Sequence, residues 1–465
     1  MSIEHSDICV IGGGLSGLSI AHFLGDLQPD ADLVILEAAS RPGGIIETFR
    51  ESGFQAEWGP HGFLDNHAGS RRLLELAGLQ EEVTTAPLGR FVRYVCVNGR
   101  LVCIPQTPLN ILRAPLMPFF HKVGVLRDLF KKPLPGDPSV AQWVQYRFGA
   151  AILPFADAVY TGTYAGDIER LKINAVMPGL RAMEAEHGSI IRAGLRRMGK
   201  ARGKRMKGLP AMTSFPQGME RLPARLAEPL EASGILRYGR KAQEVSRTED
   251  GWRVLTDQGE HRCRRLVLAI PLNQGLRLLT GVDGVTPPPM SEVAEAHLAT
   301  VILGFTSSAD IPFGFGYLAP EKEGRFALGA LFSSHMFPGR VPEGQQLLEV
   351  LVGGIRHPER LELEDAEIIT RALADLRELI HLPDEPCYTR LLRPVAGIPQ
   401  LEAGYTDLLE WRAQVHDKEP SLHICGFGWK GIGINDMVGE AMAVARRLAE
   451  HTSTQGGVEV KGVYF

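Results

Sequence analysis

The sequence predicts an α/β fold organised around a parallel sheet that the chain leaves and later rejoins, and three observations carry that prediction. Residues 7–11 form a short apolar run, Gly12-Gly13-Gly14-Leu15-Ser16-Gly17 follows, and 15–24 has the apolar spacing of a helix. A second apolar run, 32–36, ends on Glu37, twenty residues after Gly17. Much later, Leu422-His423-Ile424-Cys425 leads into a glycine-rich block, 426–433, and then into another helical pattern. Strand, glycine turn and helix therefore occur near both ends of the chain.

The first turn has a specific chemistry. Gly12, Gly14 and Gly17 make a G-x-G-x-x-G pattern, in which bare backbone can approach a pyrophosphate while the helix opening at Leu15 and Ser16 points N–H groups at its charge. Glu37 stands where a carboxylate accepts hydrogen bonds from an adenosine ribose. Together these read as a Rossmann-type dinucleotide site. Gly426, Gly428 and Gly431 match the same pattern, but no second strand and acidic residue follow, so one complete dinucleotide unit is expected. A helix beginning after Gly433, at Ile434, would turn a positive dipole end towards a developing anion.

At 465 residues the chain is expected to hold two or three domains. A net charge of −4 provides no global field for nucleic acid. The six cysteines, Cys9, Cys96, Cys103, Cys263, Cys387 and Cys425, are dispersed without C-x-x-C spacing, which suggests a reducing compartment and no metal site. The first strand starts within a few residues of Met1, so no signal-peptide pattern is expected, and no apolar run approaches the roughly 20 residues that span a bilayer. A soluble protein, or one lying on a membrane surface, is expected.

Between the two glycine turns the pattern changes several times. The segment 73–100 reads as a short helix and then strands, with Asn98-Gly99 as a hairpin turn. Arg93 in the first of these strands is either an exposed strand arginine or a guanidinium that forks onto a carboxylate. The segment 104–197 reads as mostly helical and interrupted by Pro115 and Pro118; its Phe119, Phe120 and Phe130, near Arg127, Lys131 and Lys132, suit either an interfacial patch or a helical core. Gly162 and Gly166, set beside Tyr160 and Tyr164, suggest a backbone that must come close to something. The run 192–207 holds eight Lys or Arg and no acidic residue, and reads as a solvated mobile loop, or as an attractor of acidic substrate or lipid headgroups. Strands are expected over 239–256, 263–271 and 348–354.

Several of these stretches, in this order, resemble the porphyrinogen oxidases of the FAD-dependent amine oxidase superfamily, of the protoporphyrinogen and coproporphyrinogen type. They are Ala38-Ala39-Ser40-Arg41-Pro42-Gly43-Gly44, Glu57-Trp58-Gly59-Pro60-His61-Gly62, Gly162-Thr163-Tyr164-Ala165-Gly166-Asp167, Glu186-His187-Gly188-Ser189-Ile190, Gly397-Ile398-Pro399-Gln400 and the C-terminal glycine block. The resemblance covers nearly the whole chain. It departs at Gly188, where the family often has a basic residue, and at Lys172, where a small polar one is usual.

The resemblance implies a discontinuous Rossmann-type FAD-binding domain (1–70, 212–272 and 418–465), a mixed-sheet substrate domain (71–100 and 273–417) and a helical, membrane-contacting subdomain (101–211). It implies FAD held at Gly12, Gly14, Leu15, Ser16, Gly17, Glu37, Ala38, Arg41, Gly43 and Gly44. Further contacts would come from Gly59, Pro60, His61, Gly62, Val245, Gly426, Gly431, Gly433 and Ile434, with His61 a loop histidine without a proton-transfer role. A tetrapyrrole would meet Arg93, Gly162, Gly166, Gly316, Leu318 and Leu351. The implied reaction is oxidation of protoporphyrinogen IX to protoporphyrin IX in haem synthesis, by hydride transfer to flavin N5 and reoxidation by O2 to H2O2. No catalytic residue is implied beyond the flavin. Coproporphyrinogen III is the alternative substrate; a flavin amine oxidase or carotenoid desaturase, and a non-catalytic prenyl-binding protein of similar fold, are the other readings. A cytoplasmic location, peripheral contact with the inner face of the membrane and a homodimer are among the expectations; nucleic acid and metal are not.

Overall fold

The computed structural model describes residues 3–87, 92–104, 124–201, 210–382 and 384–450. The first run and the one ending at Glu37 are strands Ile3–Ile11 and Leu33–Leu36, parallel neighbours in register Ile8↔Leu33 to Ile11↔Leu36. Spatially the sheet runs Leu236–Arg237, Leu33–Leu36, Ile3–Ile11, Gly259–Ala269, Gly251–Thr256 and Ala242–Thr248, with Leu422–Cys425 also pairing parallel to Gly259–Ala269. Successive residues of a strand face opposite ways. Ile8, Val10, Leu33 and Ile35 point into a cluster with the first helix, Leu15–Leu27, and the last, Ile434–Glu450, which lie against each other. Cys9, Ile11, Val34 and Leu36 point into a second cluster with Trp252, Leu276 and Trp429. Burial on both faces explains why these strands are apolar without alternation.

A second sheet runs Tyr388–Leu392, Leu298–Thr306, Gln345–Gly353, Gly329–Leu331, Gly316–Leu318, Arg93–Val97 and Arg100–Ile104. Its pairings are antiparallel except for Gly316–Leu318 beside Arg93–Val97. Asn98 and Gly99, with φ of 52° and 69°, make the expected two-residue hairpin turn between Val97 and Arg100. One face packs Val301, Tyr317, Ala330 and Val350 against Ile368 and Leu376 of helix Asp365–Arg377. Residues on the other face alternate with these.

The stretch expected to be helical from 101 opens with strand Arg100–Ile104, which belongs to the second sheet. Helices then follow at Val140–Phe148, Leu153–Tyr164, Pro178–His187 and Ile190–Ala201. The basic run 192–207 was expected to be a loop, yet its first part is helix, as far as Ala201. The reason lies at the helix start, where Asp128 accepts the Ile191 N–H and Ser189 Oγ accepts that of Arg192. The rest of that run, with Pro115, Pro118, Phe119 and Phe120, lies outside the described residues. Phe130 is 88% exposed, and Leu126 and Leu195 are also exposed. Among the described residues no helix is long and apolar enough to cross a membrane.

A buried charge cluster ties these helices together. Arg147 is fully buried and bonds Asp128 at 2.9 Å and, through Nε, Glu184 at 2.8 Å. Trp143 Nε1 and Ser189 Oγ donate to the remaining carboxylate oxygens at 3.0 and 2.6 Å. Removing the guanidinium would leave Asp128 buried without its countercharge and Glu184 with Arg181 as its remaining one. Arg147→Met is therefore expected to lower unfolding free energy by about 3–5 kcal/mol, read from the urea midpoint at constant slope; a loss below about 1 kcal/mol would contradict the pairing.

Candidate functional site

Two glycine loops meet at the C-terminal ends of the parallel strands. Gly12 has φ 109°, and a Cβ there would stand 2.6 Å from the Ala269 carbonyl oxygen; a Cβ on Gly426, φ 116°, would stand 2.6 Å from that of Ile270. The loops thus flank the end of one strand, the place where an open α/β sheet forms a ligand crevice. Gly17 is required by packing, since a Cβ would lie 2.0 Å from the Gly12 carbonyl oxygen. Gly14 is different. Its φ of −73° suits any residue, and a Cβ there would have no protein atom closer than Gly44 Cα at 3.9 Å. The missing side chain leaves room on the side from which a ligand would come.

The helix beyond starts at Leu15 with no capping side chain, and its first internal bond is Leu18 N–H to Gly14 O. The N–H groups of Leu15, Ser16 and Gly17 precede that bond, at the positive end of the helix dipole. Glu37 is 9% exposed; its Oε2 accepts the Gly13 N–H at 2.6 Å and its Oε1 that of Ala39 at 2.7 Å. Each oxygen keeps a second acceptor site for a ribose hydroxyl. Gly43 and Gly44 form a turn against the first loop, with Gly43 N–H donating to Gly13 O at 2.9 Å. Arg41 fastens that turn through Gly44 O at 2.9 Å and Glu47 at 2.5 Å, and Ala38 is exposed beside it. Phosphate donors, a ribose acceptor and the cradle left by Gly14 fit FAD.

The segment of Gly59, Pro60, His61 and Gly62 is wedged between this turn and the second sheet. A Cβ on Gly59 would lie 2.4 Å from Ile45 O, and one on Gly62 2.6 Å from Thr213 O. His61 Nε2 is 2.8 Å from Oε2 of Glu349, a fully buried residue whose other oxygen accepts the Ser333 hydroxyl at 2.5 Å. Glu57, also buried, pairs with Arg340 at 2.5 Å. Burial alone would push the His61 imidazole down, but the Glu349 carboxylate outweighs it and raises the net value; burial would raise Glu349, and His61 holds it below the usual range. Burial pushes the Glu57 carboxyl up against the pull of Arg340.

The expected substrate residues come together on the open face of the second sheet. Arg93, Gly316, Leu331 and Glu349 form one cross-strand row, and Val95, Leu318, Gly329 and Leu351 the next row on the same face. Arg93 is half-buried, with its guanidinium 5.2 Å from the Phe315 ring centroid. It has no carboxylate partner among the described residues, and burial depresses its pKa. A desolvated cation without a carboxylate partner among the described residues, beside Leu318, Leu331 and Leu351, is suited to a broad apolar ligand with a carboxylate at its edge.

The glycines expected to let backbone approach a ligand have another reason. A Cβ on Gly162 would stand 2.4 Å from Leu318 Cδ2, and one on Gly166 2.7 Å from Gln400 Oε1. Gly316, φ 137°, would clash with Ala330 O at 2.1 Å. Their missing side chains make room for the protein itself. Gln400 Nε2 in turn donates to Tyr164 O at 2.9 Å, and Asp167 pairs with Arg356 at 2.8 Å, so the Tyr-Ala-Gly-Asp and Pro-Gln elements are two sides of one knot.

Val245 lies in the edge strand Ala242–Thr248. Its side chain is 3% exposed in the apolar cluster with Trp252 and Val254, and its backbone is paired with Val254. The backbone that reaches Glu37 belongs to 237–240, where Glu37 N–H donates to Arg237 O and Arg240 N–H to Glu37 O. At the last helix, Gly431 and Gly433 precede Ile434 as expected. Asp436 in the first turn accepts the Gly433 N–H at 3.3 Å, so a carboxylate already shares that positive helix end. Sequence reasoning passed over Glu349, Arg340 and Asp436. Only Glu349 carried a signal, being a charge inside the apolar run 347–352.

Comparison with known proteins adds to this geometry. A family model described as flavin containing amine oxidoreductase matches residues 15–449. The coproporphyrinogen III oxidase of Staphylococcus aureus (strain NCTC 8325 / PS 47) is 24% identical, over 95% of this chain and 98% of that protein. The chloroplastic protoporphyrinogen oxidase 1 of Arabidopsis thaliana is 27% identical, over 94% of this chain and 85% of its own. A solved structure from Exiguobacterium sp. 255-15 superposes with a TM-score of 0.79 at 23% identity, covering 97% of this chain and all of that one (100%). Putrescine oxidase superposes with a TM-score of 0.70 at 17% identity, covering 97% of this chain and 100% of that one. These last two show the fold.

The Gly162–Leu318 contact can be tested by a mutant cycle. Gly162→Ala is expected to cost about 1–3 kcal/mol by overpacking, and adding Leu318→Ala should remove most of that penalty. Thermal denaturation of the two singles and the double reads the coupling; full additivity would show that Gly162 does not serve Leu318.

Proposed function

We propose that this chain, which belongs to the flavin containing amine oxidoreductase family, is an FAD-dependent oxidase of a porphyrinogen, taking protoporphyrinogen IX to protoporphyrin IX. The observation that carries the reading is Arg93, a half-buried guanidinium without a carboxylate partner among the described residues, on a sheet face lined by leucines. A porphyrinogen is broad and largely apolar, with propionates at its margin. The names of the relatives, protoporphyrinogen oxidase and coproporphyrinogen III oxidase, support the same substrate class.

In this reading Gly12, Gly14 and Gly17 seat the FAD pyrophosphate against the first helix, and Glu37 accepts from the ribose. The bound flavin would accept a hydride and pass its electrons to O2, giving H2O2. The protein's part is placement. Arg93 forks onto a propionate, Leu318 and Leu351 cover the macrocycle and exclude water, and the knot of Gly162, Gly166 and Gln400 fixes where Leu318 stands. Coproporphyrinogen III is the second reading, favoured by the bacterial relative that the chain matches over 98% of its length. Of the arginines described on this face, Arg93 is half-buried beside the leucines while Arg100 and Arg390 are exposed, and a single half-buried guanidinium favours protoporphyrinogen, which has two propionates rather than four.

Arg93→Ala should raise the KM for the porphyrinogen on the order of 10- to 100-fold, the equivalent of about 1.5–3 kcal/mol for a charged hydrogen bond, with kcat changed far less. Arg93→Lys should recover only part, because the fork is lost. An unchanged KM in Arg93→Ala would remove it from the substrate site.

A further inference from the structure

His61 stands at the junction of the two sheets with more chemistry than a loop histidine requires. Its Nε2 faces Glu349 Oε2 at 2.8 Å, and the second oxygen of that fully buried carboxylate is taken by Ser333. An ionised carboxylate can only accept, so Nε2 carries a hydrogen, and in the neutral ring Nδ1 is left with the lone pair. No described residue partners Nδ1, and it is absent from the buried atoms that lack a partner, so it opens on accessible space. The imidazole keeps 18% of its side-chain surface.

Its place on the sheet matters as much as its partner. Glu349 shares a cross-strand row with Arg93, three strands away through Gly316 and Leu331. Three strand spacings of about 4.8 Å separate the two, roughly 14 Å, with Leu318 and Leu351 on the neighbouring row. A macrocycle held at its edge by Arg93 and covering those leucines would extend towards His61.

We propose that His61 is the proton acceptor of this site, with Glu349 its positioning residue; the proposal rests on the porphyrinogen reading above. Each two-electron oxidation of a porphyrinogen breaks one C–H bond, whose electron pair leaves with the hydrogen to the oxidised flavin. A step that forms C=N also breaks one pyrrole N–H bond, whose pair stays to form that bond. Over the three oxidations two of the protons lost come from nitrogen and the third from a meso carbon. The proton of each step must go elsewhere, and Nδ1 accepts it. Glu349 then does for the imidazole what a buried carboxylate does in a hydrolase triad, fixing the tautomer and stabilising the imidazolium. The other charges facing His61 are Glu57, on the strand before it, and Arg340, from the stretch before Gln345; they pair with each other. Glu349 and Glu57 raise the basicity of His61, and Arg340 opposes them.

The test is anaerobic mixing of the FAD-loaded enzyme with protoporphyrinogen IX, following loss of the oxidised flavin band as a function of pH. A His61 that must be neutral to accept gives a wild-type rate that rises with pH through one ionisation. His61→Asn, compared at saturating FAD, should lower that rate on the order of 100-fold and abolish the ionisation, and added imidazole should restore part of the rate. Glu349→Gln should keep the ionisation but move it to lower pH. In the protein without FAD, the His61 imidazole followed by NMR should titrate at lower pH in Glu349→Gln than in the wild type. A wild-type rate independent of pH, a His61→Asn enzyme with the wild-type profile, or an imidazole indifferent to Glu349→Gln would each overturn the proposal. A wild type inert on both porphyrinogens would instead overturn the porphyrinogen reading, and this role with it.

Discussion

The structure depends on three charges and one titratable imidazole packed between the two sheets. Glu57 and His61 come from the chain next to the dinucleotide turn, Glu349 from the far sheet and Arg340 from the bend before its strand Gln345–Gly353, and they meet as the pairs Glu57–Arg340 and His61–Glu349. Arg340, Glu57 and Glu349 are each 1% exposed or less. Such pairs add little net stability over an apolar contact, but losing one partner leaves a buried charge and costs about 3–5 kcal/mol. That asymmetry allows only the arrangement in which all four are matched, which sets the nucleotide loops and the open sheet face at a fixed separation. Hydride transfer between a bound cofactor and a bound substrate requires such a separation.

The site also rests on backbone that side chains would spoil. The glycine loops at Gly12 and Gly426 close on the two successive carbonyls of Ala269 and Ile270, so the first and last parts of the chain are brought to one strand end. On the substrate face Gly162 and Gly329 make the notch that holds Leu318, and Gly166 the notch for Gln400. Leucine walls are then positioned by helix and sheet rather than by loops. Within them Arg93 is a cation whose counterion the described protein does not supply.

What the sequence made legible follows the range of the interactions. The strand, glycine turn, helix and Glu37 lie within one βαβ unit, so their spacing declares both geometry and ligand, and the Asn98-Gly99 turn is equally local. Arg93 was legible only as a pair of readings, because the missing counterion is a property of the folded face. Gly162 and Gly166 signalled close approach correctly, but their partners, Leu318 and Gln400, are more than 150 residues away in sequence. Glu349 and His61 are separated by 288 residues and Arg340 and Glu57 by 283, and no periodicity reports such pairs. The basic run 192–207 read as a loop because charge and glycine dominate its composition, whereas Asp128 and Ser189, which start the helix, lie outside it.

The measurement that tests the central claim most directly is porphyrin fluorescence, with peroxide measured alongside, after mixing FAD-loaded protein in air with protoporphyrinogen IX or coproporphyrinogen III. The structure predicts porphyrin formation accompanied by peroxide, absent in air-free buffer, with the higher kcat/KM for protoporphyrinogen IX. Porphyrin from neither substrate, by protein that has bound FAD, would contradict it.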